Sequence, residues 1–388
     1  MTICLDISQI AYEGTGVARF TRGLVETICA RPKEDDWIFF FSGLRTSAPS
    51  EIIELIKKSG HTYVRAYYPP TVFAWLNNTV HKIPIETYIG HSVDWYISSD
   101  WTQAPCRARR ATIVHDLVFV KYPETVADTI IQTQQKRLGH VDAECEVIFC
   151  DSESTKNDCE EFFSIKNARL VTNYPGVNPP SQLPPAILEQ TKRQYKLDRP
   201  YILAVGKIEP RKNLHRLIAA YLRLYRDDVD LVIVGQQGWD VSAQELVSNA
   251  AHETTAGAAA RELQIASNNI HFLGYVPDDA LQALYSQCMI FSMPSLWEGF
   301  GYPVIEAMQQ AAAVCCSNTS SLAEIADDAA LTFNPLDVAD ITRALHHLLE
   351  NENDRAMYQQ RGPTRAAAFR WDTYYDTMMK ELRPHTNA

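Results

Sequence analysis

The sequence predicts an α/β protein made of two doubly wound parallel sheets in tandem, and three observations carry that prediction. Short apolar, β-rich segments alternate with longer amphipathic ones, the pattern of βα units around parallel sheets. The rhythm breaks once, at 174–200, where Pro175, Gly176, Pro179, Pro180, Pro184 and Pro185 crowd together ahead of a short polar helix. A chain of 388 residues is long enough for two domains that each bury a core.

The predicted strands of the first half are 2–7, 37–41, 62–67, 95–98, 112–115, 147–150 and 169–172, with helical patterns filling most of the gaps. After the proline-rich linker a second series begins, at 201–205, 231–234, 269–272, 289–293, 313–317 and 330–333. The domains are accordingly expected at 1–178 and 179–368, with 369–388 as a closing helical segment. Ligands of doubly wound sheets bind beyond the carboxyl ends of the strands, where loops feed helix N-termini. Candidate functional residues are therefore those just after each strand.

Composition narrows the function. A hydrophobic share of 46% with 21% charged residues is that of a soluble globular enzyme, and a net charge of -11 argues against a general nucleic-acid binder. The nine cysteines form no C-x-x-C pair and mostly lie in apolar stretches, so they read as reduced core residues, as in the cytosol. The N-terminus lacks the basic start and apolar middle of a signal peptide, and no apolar run approaches the roughly 20 residues that cross a bilayer. A cytoplasmic protein, at most peripheral on the inner face of the cytoplasmic membrane, is expected.

Four constellations can carry chemistry. After the strand at 289–293 comes a loop holding Glu298, Gly299, Phe300 and Gly301, then Pro303 and an apolar helix over 304–310. The glycines let backbone N–H groups approach a ligand, and the helix start favours an anion such as a diphosphate. Glu306 lies one turn into that helix, and its side chain leans back toward the site of Glu298. Two carboxylates beside an anion site suit a ligand that also carries hydroxyls. A plainer reading stays open, with Glu306 a capping carboxylate and Glu298 an ordinary loop residue.

The second constellation follows the strand at 201–205, where Gly206, Lys207, Arg211 and Lys212 precede a helix over 214–226. Three cations there can clamp phosphate oxygens and neutralise a leaving diphosphate, or they are solvated surface charge. The third is Gly14-x-Gly16-x-x-Arg19 between a strand and a helix. It resembles a dinucleotide fingerprint, but Arg19 stands at the third glycine position and the next strand ends without an acidic residue, which disfavours a nicotinamide enzyme. In the fourth, His115 closes a strand, able to donate to a substrate hydroxyl with Asp116 orienting it, or serving a structural role. The other histidines show no ligand spacing, so no metal is assigned. Asp228-Val229-Asp230 precedes a strand rather than following one and reads as a solvated turn.

Together these residues resemble the retaining glycosyltransferases of family 4, which have the two-domain glycosyltransferase-B fold with Rossmann-like domains facing a central cleft. The likeness runs through Asp6, Gly14-x-Gly16-x-x-Arg19, His115-Asp116-Leu117, Tyr122-Pro123-Glu124 and Ser152-x-Ser154. It continues with Gly206 to Asn213, Gly274-Tyr275-Val276-Pro277-Asp278, the Glu-x7-Glu motif from Glu298 to Glu306, and Ser320-Ser321-Leu322-x-Glu324.

The resemblance implies an acceptor-binding first domain, a second domain that binds the nucleotide sugar, and a last helix, 371–382, that crosses back to the first domain. Gly16 and Arg19 would lie against donor phosphates and sugar, and His115 near the reacting sugar. Lys207 and Lys212, with Arg211 adjacent, would bind the diphosphate. Glu298 would hold the transferred sugar, Glu306 the ribose, and the backbone near Tyr275 and Val276 the base. Two departures stand out: Lys207 occupies a position where many relatives have arginine, and the segment 235–264 carries Gln236-Gln237-Gly238-Trp239 and a long alanine-rich stretch.

The likeness is greatest to bacterial mannosyltransferases of O-antigen and exopolysaccharide synthesis. It implies a nucleotide diphosphate sugar, GDP-mannose foremost, as substrate, with no cofactor and no metal, and a lipid-linked saccharide acceptor. Rhamnosyl, glucosyl or N-acetylhexosaminyl donors, an epimerase and a non-catalytic sugar-nucleotide binder remain as alternatives. Arg107, Arg109 and Arg110 form the one dense basic cluster, either a contact for anionic lipid or ordinary surface charge.

Overall fold

The computed structural model describes residues 1–12, 14–162, 168–180, 183–238, 245–248, 250 and 268–383. The chain divides into two compact units, Met1–Asn178 with Phe369–Ala388, and Pro179–Ala368. In the first unit β1 (Thr2–Asp6), β2 (Asp36–Ser42), β3 (Thr62–Ala66), β4 (Trp95–Ser98), β5 (Arg109–Val114), β6 (Val147–Cys150) and β7 (Arg169–Thr172) form one parallel sheet in the order β3-β2-β1-β4-β5-β6-β7. In the second, β8 (Tyr201–Val205), β9 (Asp230–Val234), β10 (Ile270–Gly274), β11 (Ile290–Met293), β12 (Val314–Ser317) and β13 (Leu331–Phe333) form a parallel sheet in the order β10-β9-β8-β11-β12-β13.

These are the two doubly wound sheets that the sequence predicts. The strands are legible because a parallel sheet is covered on both faces, so its strands become nearly continuous apolar runs. Trp37 to Phe41 of β2 are all buried, as are Leu231 to Val234 of β9. The strand order reverses between β1 and β4 in one sheet and between β8 and β11 in the other. At such a switch point the two outgoing loops diverge and leave a crevice beyond the strand ends. All nine cysteines are buried with free thiols, as expected of core residues.

The last helix, Trp371–Leu382, belongs to the first unit. Glycine makes its seat: a Cβ on Gly23 would lie 2.2 Å from Trp371 Cζ2, and one on Gly176 would lie 2.2 Å from the Trp371 backbone nitrogen. Trp95 Nε1 donates to Leu382 O at 2.8 Å, and Asn173 Nδ2 donates to Tyr374 O at 3.1 Å. Arg31 pairs with Asp372 and Asp376 and lies over the Tyr375 ring.

Two expectations need correction, and one open choice narrows. Asp230 is not a solvated turn residue: it begins β9, is 2% exposed, and pairs with Arg199 at 2.8 Å and His271 at 3.2 Å. The helix after Lys212 stops at Leu222 rather than 226, because the chain turns through Tyr225 at φ 52°. The basic cluster is largely neutralised, Arg109 by Glu146 and Arg110 by Glu144, with Arg109 also stacked on Trp95. Such pairing leaves only Arg107 of the three to attract an anionic surface. Among the described residues no helix is long and apolar enough to cross a membrane.

A Gly176→Ala substitution forces a Cβ onto backbone that cannot swing away, and should cost about 1–3 kcal/mol. The midpoint of chemical denaturation should fall accordingly. Gly139→Ala, where an added Cβ meets nothing within 4 Å, should leave the midpoint unchanged or raise it.

Candidate active site

The candidate residues lie beyond the carboxyl ends of the strands, after β1 and β5 in the first sheet and after β8, β11 and β10 in the second. In the second unit, Pro210–Lys212 forms a single 3-10 turn directly after the β8 loop, started by proline, whose φ suits it. Asn213 ends that turn at φ 56° and opens the helix Leu214–Leu222. Its fully buried side chain donates to Pro294 O at 2.9 Å and Pro335 O at 2.8 Å, while its oxygen accepts from Arg216 at 2.8 Å. One amide thereby ties together the loops after β8, β11 and β13.

The tie brings Arg211 and Lys212 onto Glu298. Lys212 Nζ donates to Glu298 Oε1 at 2.7 Å, and Arg211 Nη1 donates to Oε2 at 2.7 Å and to Trp297 O at 2.8 Å. Arg211 Nη2 donates to Glu209 at 2.9 Å. Glu298 is 7% exposed, and burial alone would raise its carboxyl, but the charges of Arg211 and Lys212 outweigh that and hold it at about 2. It is a carboxylate at every physiological pH.

The three cations therefore divide. Lys207 is exposed and makes no ion pair among the described residues, whereas Arg211 is committed to Glu209, Glu298 and a carbonyl. The Arg211 guanidinium thus braces the loops beside Glu298. Lys212 lies against Gly206, where an added Cβ would be 3.2 Å from Lys212 Cε. Gly235, after β9, is pressed so closely on the β8 loop that a Cβ there would lie 1.9 Å from Gly206 O.

The Glu298 backbone is held as firmly as its side chain. Its N–H donates to Ser320 Oγ at 3.1 Å, and Ser321 Oγ sits 2.9 Å from the carbonyls of both Glu298 and Phe300. Ser320 has φ 54°, a conformation costly for a residue with a Cβ and kept only where surroundings impose it. Gly301, next to Gly299 and Phe300 in the loop, has φ 105° and opens the helix Tyr302–Gln309. Phe300 is itself buried and packs edge-on against Tyr302, so only its backbone can meet a ligand. Glu306 accepts a hydrogen bond from Tyr285 Oη at 3.2 Å. Beyond β10, Tyr275 is 63% exposed while its neighbour Val276 is buried. Gln237 bridges Ile208; residues 239–244 and 251–267 of the departing segment lie outside the described residues.

In the first unit, the Gly14 loop leads into the helix Gly16–Ala30, with Gly14 at φ 79° and Thr15 Oγ1 accepting from Ala18 N at 3.2 Å. Arg19 is exposed in the first turn, and Phe20 beside it is buried. Phe20 meets the His115 ring edge-on at 4.8 Å and is backed by Trp371 and Tyr374 of the last helix. A single concavity is lined by Asp6, Gln9, Phe20, Ser99, Asp100 and His115.

His115 is oriented by Asp151, not by Asp116. Its Nδ1 lies 2.6 Å from Asp151 Oδ2, whereas Asp116 accepts from Val118 N at 3.2 Å. The reason is register: Val114 pairs with Cys150, so the residues one step beyond β5 and β6 emerge side by side. Burial would depress the imidazole, but the charge of Asp151 and its hydrogen bond prevail and push it up to about 9. His115 is then an imidazolium at neutral pH, able to donate a proton or offset negative charge and unsuited to act as a base. Ser152 has a structural role, accepting from Thr155 N at 3.0 Å at the start of the helix Glu153–Phe162.

A sequence model of the family described as "Glycosyl transferases group 1" matches residues 188–365, nearly all of the second unit. The chain is 28% identical to O-antigen chain mannosyltransferase B of Escherichia coli over 96% of this chain and 97% of the relative. The protein is a glycosyltransferase. It is also 28% identical to the serotype-specific mannosyltransferase WbdA of Escherichia coli over 74% of this chain, which spans 34% of that longer protein. Its fold is that of the sucrose-phosphate synthase of Thermosynechococcus elongatus, with a TM-score of 0.73 over 99% of this chain and 98% of that one at 19% identity. Similarity to that synthase makes the architecture of this glycosyltransferase the glycosyltransferase-B fold.

Two residues of this site escaped the sequence reading, Asp151 and Tyr285. Asp151 carried a usable signal, being the first residue after a strand; Tyr285 lies among the apolar positions of a helix and carried none.

The two ion pairs make opposite pH predictions. Glu298 is depressed in the folded protein, so its contribution is present above pH 4.5 and lost as pH falls toward 2. The shift of 4.5 to about 2 corresponds to roughly 3 kcal/mol, which a Glu298→Gln variant should not show in acid denaturation. His115 is raised, so its contribution is complete below pH 6.5 and lost as pH rises through about 9. In an NMR titration Asp151→Asn should move the His115 midpoint down by more than one pH unit; an unmoved midpoint would show that Asp151 does not set it.

Proposed function

We propose that this glycosyltransferase moves mannose from GDP-mannose onto a hydroxyl of a lipid-linked saccharide, with retention of anomeric configuration, in the synthesis of a cell-surface polysaccharide. The observation that carries the reading is the full-length similarity to an O-antigen chain mannosyltransferase. The charge arrangement of the second unit supports it. Glu298, permanently ionised and with lone pairs left over after Arg211 and Lys212, can accept hydroxyls of the transferred sugar. Lys212 can exchange part of its contact with Glu298 for a diphosphate oxygen, and Lys207 is exposed to join it.

The start of the helix Tyr302–Gln309, reached through Gly299 and Gly301, adds the positive end of the helix dipole for the same anion. Glu306, steadied by Tyr285, suits the ribose hydroxyls, and Tyr275 with Val276 the base. Departure of the diphosphate is thus stabilised by fixed cations and backbone dipoles in place of a divalent metal. In the first unit, cationic His115 is assigned to the reacting sugar and Gly14, Gly16 and Arg19 to the donor.

Purified protein given an acceptor and a panel of GDP-, UDP- and dTDP-sugars, with EDTA present, should transfer mannose from GDP-mannose and yield the α-configured product. Transfer from another donor corrects the sugar, conversion of donor without acceptor points to an epimerase, and binding without turnover to a non-catalytic protein. Lys212→Ala and Glu298→Ala should each lower kcat/KM by about 100-fold or more while far-UV circular dichroism stays unchanged. Near-normal turnover in either variant defeats the assignment of roles.

A further inference from the structure

We propose that the Asp100 carboxylate is a subsite for the acceptor, holding the saccharide hydroxyl that attacks the donor, and that the buried Arg137 positions it. The proposal rests on the reading of the acceptor as a saccharide hydroxyl, and on neither the donor sugar nor the stereochemistry of transfer.

Arg137 is 1% exposed on the helix Asp128–Glu144, a setting in which an arginine needs both hydrogen bonds and a counter-charge. Its hydrogen bonds reach the end of β5 and its own helix. Nη2 donates to Thr112 Oγ1 and to Ile113 O, each at 2.8 Å, and Nη1 donates to Gln134 Oε1 at 3.3 Å. The counter-charge is Asp100, which lies 3.6 Å from Nη1 and is the one carboxylate in ion-pair reach of this guanidinium among the described residues.

The loop that carries Asp100 is fixed from beneath. Gln134 Nε2 donates to the Asp100 carbonyl at 2.8 Å. Asn78 donates to Trp101 O at 2.8 Å and accepts from Gln103 N at 2.9 Å. At the base of the loop, Ser98 Oγ lies 2.6 Å from Thr112 Oγ1 and 2.5 Å from Gln103 Oε1. The same helix therefore holds both the backbone and the charge of Asp100.

What remains unused is the Asp100 side chain. An arginine devoted to an ion pair presents two parallel N–H groups to the carboxylate. Here the fork is turned to Thr112, Ile113 and Gln134, so Asp100 is attracted without accepting a hydrogen bond from any described residue. Its side chain keeps 19% of its surface exposed and lines the same concavity as Asp6 and His115. Asp6, the other carboxylate of that lining, is already spent on Ser8 N, Ser8 Oγ and Thr102 Oγ1. A carboxylate with spare lone pairs takes a donor such as a sugar hydroxyl, and holding that hydroxyl in place orients its oxygen for attack. The location agrees, because Asp100 follows β4 at the switch point between β1 and β4.

Asp100→Asn and Asp100→Glu are compared with wild type on whichever nucleotide sugar the wild type turns over. Each should lower kcat/KM for the acceptor by about tenfold or more, while affinity for the nucleotide sugar, read by calorimetry, stays within about twofold. Should Asp100→Asn fail to fold, having left the Arg137 cation without its counter-charge, Asp100→Glu keeps the charge and displaces the carboxylate by one methylene. Arg137→Lys, which keeps the charge and loses the fork, should show the same split between acceptor and donor; an unchanged acceptor KM there removes Arg137 as the positioning residue. If wild type turns over no nucleotide sugar, the proposed function fails, and saturation-transfer NMR with mannobiose reads this site by itself: wild type should bind it and Asp100→Glu should not. Unchanged acceptor kcat/KM in the Asp100 variants, an equal loss of donor affinity, or a mannobiose signal that is absent from wild type or unaltered by Asp100→Glu would overturn the subsite.

Discussion

The second unit is organised around the carboxylate of Glu298 and the two cations that hold it. The loops after β8 and β11 leave the sheet at its switch point and would diverge, yet Arg211 and Lys212 from one clasp Glu298 from the other. A buried pair of this kind forms only if its partners are already placed, since each charge forfeits hydration that imperfect geometry does not return. Asn213, Ser320 and Ser321 supply that placement by fixing the backbone of the loops that carry the charges. Tight glycines at 206 and 235 bring the neighbouring loop against the same site.

The first unit meets a similar demand by another route. His115 is clamped between the Asp151 carboxylate and the edge of Phe20, and Phe20 rests on Trp371 and Tyr374. A helix from the far end of the chain thus supports a residue at the ligand edge of the first sheet. The seat for Trp371 exists because Gly23 and Gly176 have no side chains, so packing at the chain's end and the setting of the imidazole are linked. Catalytic groups on rigid elements cost little reorganisation during reaction, which is where most electrostatic catalysis originates.

Both ion pairs also fix protonation states, and these states limit the chemistry. Glu298 is held ionised and His115 protonated across the neutral range, so neither is poised to shuttle a proton. What the pairs provide instead is fixed charge, one negative and one positive group held at the ligand edges of their sheets. Under the proposed transfer, a departing diphosphate needs such charge more than acid–base exchange.

The strands, their parallel arrangement and the ligand edge were readable from the sequence alone, because burial on both faces imposes apolar runs that alternation with helices makes plain. The Glu298 loop, the Lys212 turn and the Gly14 loop could be named for the same reason, as polar and glycine-rich interruptions at predicted strand ends. Partner choice could not be read, since it depends on register and loop closure between segments distant in the chain. Adjacency in sequence favoured Asp116 beside His115, and sheet register placed Asp151 there. Residue type marked Arg211 as a cation for phosphate, and only the fold showed that it also braces two loops. His81, His140 and Glu144, which share no motif, are brought together only by folding. The sequence determined which groups reach each edge of the sheets; the tertiary structure decided which of them meet, because a charge or lone pair is satisfied by whatever lies within a few ångströms, wherever it stands in the chain.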